Sequence, residues 1–138
     1  MILADTSAWV EFDRATGSRV DLRLTELIAR GDELAVTEPV IAEVAAGART
    51  DGAEAALRRL LARFRLLPFD GVTDFDGAVS VYRSCRQAGI TPRGLLDCMI
   101  AAVALRYGVS VLAHDADMAR IADVMPLQLD DASLRPSR

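Results

Sequence analysis

The chain has 138 residues, enough for one domain with a buried core and too few for two. Its sixteen basic residues are all arginine, set against twenty acids for a net charge of −4. The missing lysine excludes a P-loop nucleotide site and Schiff-base chemistry and argues against a phospho-receiver pocket. No apolar run approaches the ~20 residues that span a bilayer, so no membrane association is expected. No basic segment precedes the first apolar residues, so a secretory signal is not expected either. Cys85 and Cys98 lie in apolar helical patterns without a C-x-x-C partner. Sulfur-bound metal is therefore not expected, and a cytoplasmic, reducing location is.

In chain order, Ile2-Leu3-Ala4 is a short continuous apolar run, the pattern of a strand buried on both faces of a parallel sheet. Asp5 follows it, and Thr6 or Ser7 is placed to cap a first helix carrying Trp9 and Phe12. Gly17-Ser18 breaks the chain, with Ser18 capping a second helix that Gly31 ends. Leu34-Ala35-Val36 reads as a second strand, and Thr37-Glu38-Pro39 opens a helix that runs to about Gly47. A further helix is expected over 53–64, then a third strand over 66–69 whose Pro68 sets it at an edge or a strand end. A long helix over 74–88 closes at Gly89, and 90–94 is a loop. The helix over 95–107 is apolar on nearly all sides and therefore buried. Residues 110–113 form a fourth strand, 118–123 a short helix, and 127–129 a possible fifth strand. Residues 131–138 are a polar tail beyond a single domain over 1–130, and the end of the chain from Asp130 is expected to fray. Strands alternate with helices throughout, so the fold class is α/β with a parallel sheet.

Four acids occur where an acid is costly unless it is used. Asp5 follows a buried strand, and Asp115 follows the fourth. Asp97 sits in the first turn of the most apolar helix, and Glu43 lies among Val40, Ile41 and Val44. Strand ends of one sense share an edge in a parallel sheet, so Asp5 and Asp115 meet there, and Asp97 and Glu43 can reach the same place. Carboxylates forced together repel unless a cation neutralises them, and an all-oxygen set suits Mg²⁺ or Mn²⁺ rather than Zn²⁺. One or two such ions can activate water against a phosphodiester. Each acid also has a reading without chemistry: Asp5 as a cap, Asp97 as a helix-dipole acid, Asp115 and Asp117 as caps, Glu43 on a solvated face.

The opening Leu3-Ala4-Asp5-Thr6-Ser7-Ala8-Trp9, Glu43, the block Asp97-Cys98-Met99-Ile100-Ala101-Ala102 and the closing Val111-Leu112-Ala113-His114-Asp115-Ala116-Asp117 resemble a PIN domain, and more narrowly a VapC-type toxin of a bacterial toxin–antitoxin pair. The resemblance covers nearly the whole chain in order. It implies a three-layer α/β/α fold with a central parallel sheet of four or five strands, often dimeric. It also implies Mg²⁺- or Mn²⁺-dependent cleavage of single-stranded or structured RNA, tRNA or rRNA among the targets, and inhibition by a VapB-like antitoxin. Carried over residue by residue, Asp5, Glu43, Asp97 and Asp115 are the principal ligands, Asp117 an auxiliary one, and Ser7 a hydrogen-bonding residue of the site. Ala113 departs from the Thr or Ser usual in such toxins, which removes a supporting hydroxyl, and Met118 replaces a usual aromatic.

With those five acids set aside, fifteen acids remain against sixteen arginines, a balance of +1 that leaves little basic surface to spare. Arg93, on the loop before Asp97, is the first candidate for RNA contact, and Arg14 at the end of the first helix the second. Trp9 and Phe12 are either core or the lining of a groove for an antitoxin helix. The other function to weigh is a catalytically silent PIN-like module acting through protein or RNA contacts alone. A phosphatase of the haloacid-dehalogenase type needs a second Asp where Ser7 stands, and a lysine.

Overall fold

A computed structural model describes residues 1–136. Four parallel strands, β1 (Ile2–Ala4), β2 (Leu34–Val36), β3 (Arg65–Leu66) and β4 (Ser110–Leu112), form one sheet in the order β3-β2-β1-β4. Ile2 pairs with Leu34 on one side and with Ser110 on the other, so β1 is central. Its three residues are buried, as a strand covered on both faces requires. Among the described residues, seven helices flank the sheet: α1 (Thr6–Asp13), α2 (Arg19–Arg30), α3 (Glu38–Ala46), α4 (Asp51–Leu61), α5 (Thr73–Gln87), α6 (Leu95–Tyr107) and α7 (Ala116–Val124). The architecture is the expected α/β/α arrangement.

Most element ends follow their local chemistry. Ser18 accepts from the Asp21 amide at the start of α2, and Gly31 closes that helix at φ 79°, a conformation a side chain would strain. Pro39 stands in the first turn of α3, and Gly108 ends α6 in the left-handed region. Gly77 of α5 serves packing instead. A Cβ there would sit 3.1 Å from that of Ala102, so its absence lets α5 approach the buried α6.

Several boundaries differ from the expectations. Asp5, not Thr6 or Ser7, caps α1: its carboxylate accepts from the Ala8 amide at 3.1 Å. The strand ends one residue before the helix, so only Asp5 has the extended backbone a cap needs. Helix α4 begins at Asp51 because Thr50 caps it, accepting from the Ala53 amide. Strand β3 is shorter and ends three residues earlier, stopping before Pro68, and it lies at the edge as expected. Helix α7 starts at Ala116, capped by Asp115. The possible fifth strand is an isolated parallel bridge between Val111 and Leu129.

The chain after Asp130 does not fray at once. Ser133 is 3% exposed. Its hydroxyl accepts from the Ala113 amide at 3.1 Å and donates to the Val111 carbonyl at 3.2 Å. The Leu134 amide donates to the Ala113 carbonyl, and Arg23 pairs with Asp130 at 3.2 Å. The outer edge of β4 would otherwise carry bare backbone groups, and the tail satisfies them. Residues 137–138 lie outside the described residues. Ser133→Ala strands a buried amide beside the site-bearing end of β4. It is expected to cost about 1–3 kcal/mol, read as a lower urea midpoint with an unchanged slope.

Candidate metal centre

The carboxyl edge of the sheet gathers the acids. Asp5 leaves β1, Asp115 follows β4 by three residues, and Asp97 comes from the first turn of α6. One carboxylate oxygen from each lies within 4.8 Å of the others. Asp5 is 1% exposed and capping does not exhaust it, so its role as a cap and its place in the cluster coexist.

Two hydroxyls next to Asp5 arrange the site. Ser7 Oγ donates to Asp5 Oδ1 at 2.6 Å and accepts from the His114 amide at 2.7 Å, tying the ends of β1 and β4 together. Thr6 Oγ1 donates to Glu43 Oε1 at 2.5 Å, which draws the α3 acid toward the cluster. Thr6 was not among the candidate residues. Its only sequence signal is a hydroxyl directly after the strand-end Asp, which reads equally as a helix cap.

The electrostatics follow from this crowding. Burial pushes the Asp5 carboxyl up to about 7 against the lowering effect of the Ser7 and Ala8 hydrogen bonds, with the charges of Asp115 and Glu43 adding to the rise. Asp97 is pushed up to about 8, first by burial, then by the hydrogen bond it shares with Asp115 and by the charges of Asp115, Asp5 and Glu43. Without a cation the cluster holds protons at neutral pH. An all-oxygen donor set that strained fits a hard divalent cation.

Asp117 departs from this pattern. Its Oδ1 accepts from Arg120 Nη1 at 2.9 Å, and its Oδ2 accepts from Arg93 Nε at 3.0 Å and the Arg93 amide at 3.2 Å. Burial works against its charge, yet these Arg93 and Arg120 hydrogen bonds hold its carboxyl below the usual value. Arg93 also reaches Asp115 Oδ1 through Nη2 at 3.4 Å, so it stands beside the carboxylates. Arg14 does not: it lines a groove of about 480 Å³ between α1, α3 and α4, shared with Trp9, Val44, Leu57, Arg49 and Glu43. Trp9 is 1% exposed, belonging to the core while also forming part of that groove. Phe12 packs edge-on against it at 6.1 Å. Ala113 and Met118 are both buried, in the core.

A parallel sheet with converging carboxylates at its carboxyl edge could hold a divalent cation, and the PIN domain family matches residues 2–124. Ribonuclease VapC11 of Mycobacterium tuberculosis is 41% identical over 129 residues, 93% of this chain and 96% of that protein. The chain belongs to the PIN-domain family, among the VapC ribonucleases. Two solved structures share the fold. The crystal structure of VapBC2 from Rickettsia felis bound to a DNA fragment from its promoter has a TM-score of 0.74 at 18% identity, covering 94% of this chain and 98% of that one. Mycobacterium tuberculosis VapC20, a sarcin–ricin-loop-cleaving toxin, has a TM-score of 0.62 at 20% identity, covering 93% and 99%.

Proposed function

We propose that this ribonuclease is a Mg²⁺-dependent endoribonuclease toxin, with Mn²⁺ as a substitute, that cleaves tRNA or rRNA in the cytoplasm and is held inactive by a VapB-like antitoxin. The observation that carries the reading is the triad of carboxylates within 4.8 Å, two of which burial and neighbouring carboxylates push up to about 7 and about 8. Asp5, Asp97 and Asp115 hold the ion, and Glu43 stands beside them on its Thr6 tether. A bound divalent ion supplies a polarised phosphodiester and a water of lowered pKa. Ser7 fixes the Asp5 carboxylate, and Arg93 offers a guanidinium to the RNA backbone. Arg14, across the groove that Glu43 borders, is a second RNA contact.

The same groove, apolar at Trp9, Val44 and Leu57 and charged at Arg14, Arg49 and Asp13, suits an amphipathic antitoxin segment. A homodimer forms through α5, where exposed Val72, Phe75 and Val79 share a helix face with Asp76 and Arg83. Two antiparallel copies of that face set acid against arginine on both sides.

Incubation of the purified chain with total tRNA and with ribosomes, followed by mapping of RNA ends, tests the function. Cleavage at defined positions that needs Mg²⁺ or Mn²⁺ is expected, abolished in Asp5→Asn, since Asn caps a helix but carries no charge. RNA that binds in either metal and is never cut leaves the silent binding module as the function.

A further inference from the structure

Asp117 and Arg93 form a device that the ligand assignment overlooks. Asp117 is 5% exposed and both its oxygens are filled, one by Arg120 and the other by Arg93 twice over. The Arg93 backbone amide and its Nε meet the same oxygen, so both the base and the head of that side chain are fixed. The head then reaches Asp115, a member of the carboxylate triad, at 3.4 Å. The Arg93 side chain is nevertheless 81% exposed, and its Nη1 makes no hydrogen bond or ion pair among the described residues. A carboxylate flanked by two guanidinium groups is a poor site for a third cation.

We infer that Asp117 is a positioning residue rather than a metal ligand: it holds Arg93 as a resident cation that shares Asp115 with the divalent ion and presents its exposed edge to an RNA phosphate. The inference rests on the nuclease reading. It deepens that reading by giving Arg93 two effects of opposite sign. The guanidinium repels the incoming metal ion, so it weakens metal binding. It also pairs with phosphate oxygens, so it strengthens RNA binding.

The test uses the full chain, with Mn²⁺ titrated calorimetrically and total tRNA and rRNA as cleavage substrates at saturating Mn²⁺. Arg93→Gln is expected to tighten Mn²⁺ binding by about threefold or more. The same variant raises KM by about tenfold while kcat changes little. The slope of log kcat/KM against log salt becomes shallower by about 0.7, the signature of one lost phosphate contact on a single strand. Arg93→Lys, which keeps the charge and loses the fork, retains wild-type Mn²⁺ affinity with an intermediate KM. Asp117→Asn reproduces the KM rise and adds nothing to it in the Arg93→Gln background.

Weaker Mn²⁺ binding or an unchanged salt slope in Arg93→Gln overturns the shared-cation role. This variant lies on an exposed side chain and does not depend on how Asp117→Asn folds. A further loss of kcat beyond about tenfold when Asp117→Asn is added to Arg93→Gln makes Asp117 a ligand after all. Those failures leave wild-type cleavage intact. Absence of cleavage by the wild type overturns the nuclease reading instead, and the Mn²⁺ titration still reads Arg93.

Discussion

Asp97→Asn is expected to lower kcat/KM for RNA cleavage by roughly 1,000-fold or more while leaving the metal-free protein at least as stable as the wild type at pH 7. The two halves of that outcome have one cause. Without metal the Asp97 carboxyl, pushed up to about 8 by burial and by Asp115, is largely protonated at that pH. An Asn side chain has nearly the same shape, is neutral, and can donate to Asp115 as the protonated acid does. Metal binding is a different matter, because a neutral amide replaces one of three charged donors. Thermal melts with and without Mn²⁺ separate the cases: the wild type gains stability from the ion and the variant does not. If Asp97 merely complemented the helix dipole of α6, the variant would lose a few tenths of a kcal/mol and bind Mn²⁺ normally. Retained cleavage in Asp97→Asn sinks the metal mechanism outright.

The parts of this site that could be read from sequence are those fixed by burial pattern. Ile2-Leu3-Ala4 reads as a covered strand, and that put Asp5 at the sheet edge. Asp97 announced itself because α6 is apolar on all sides, with Cys98, Ile100, Ala101, Val103 and Ala104 buried. What periodicity does not encode is the direction of a polar side chain once it arrives. Asp115 and Asp117 are two residues apart with the same composition around them. One joins the triad, and the other turns to Arg93 and Arg120. The link from Thr6 to Glu43 spans 37 residues and depends on how α1 and α3 pack. The tail misled for the opposite reason. Ser133 and Asp130 look like solvated residues, but their partners are the open edge of β4 and Arg23, which only the fold supplies.

The crowding of the triad's carboxylates has a measurable consequence for pH. In the metal-free wild type, Asp5 and Asp97 keep their protons to about 7 and about 8, against 3.8 for the same groups when exposed. Between those values the native state binds more protons than the unfolded state, so stability falls as pH rises. The protonated cluster's contribution is complete below about pH 4 and is lost as pH climbs through 7 and 8, at up to about 1.4 kcal/mol per pH unit per proton. Asp74 and Asp117 have lowered values, held by Arg106 and by Arg93 with Arg120. Their contributions are lost only as pH falls through the acid range, outside this window. Melting in EDTA should therefore drop by several degrees between pH 5 and 8. Saturating Mg²⁺ or Mn²⁺ holds both carboxylates ionised, so the drop disappears and binding releases protons into the buffer. Calorimetry in two buffers of different ionisation enthalpy counts those protons, with one to two expected at pH 6. The apparent metal affinity should then rise by about tenfold per pH unit for each proton released, levelling above pH 8. A melting temperature flat from pH 5 to 8 in EDTA, with metal affinity independent of pH, would mean that these acids are already satisfied inside the fold and that no ion is needed to hold them.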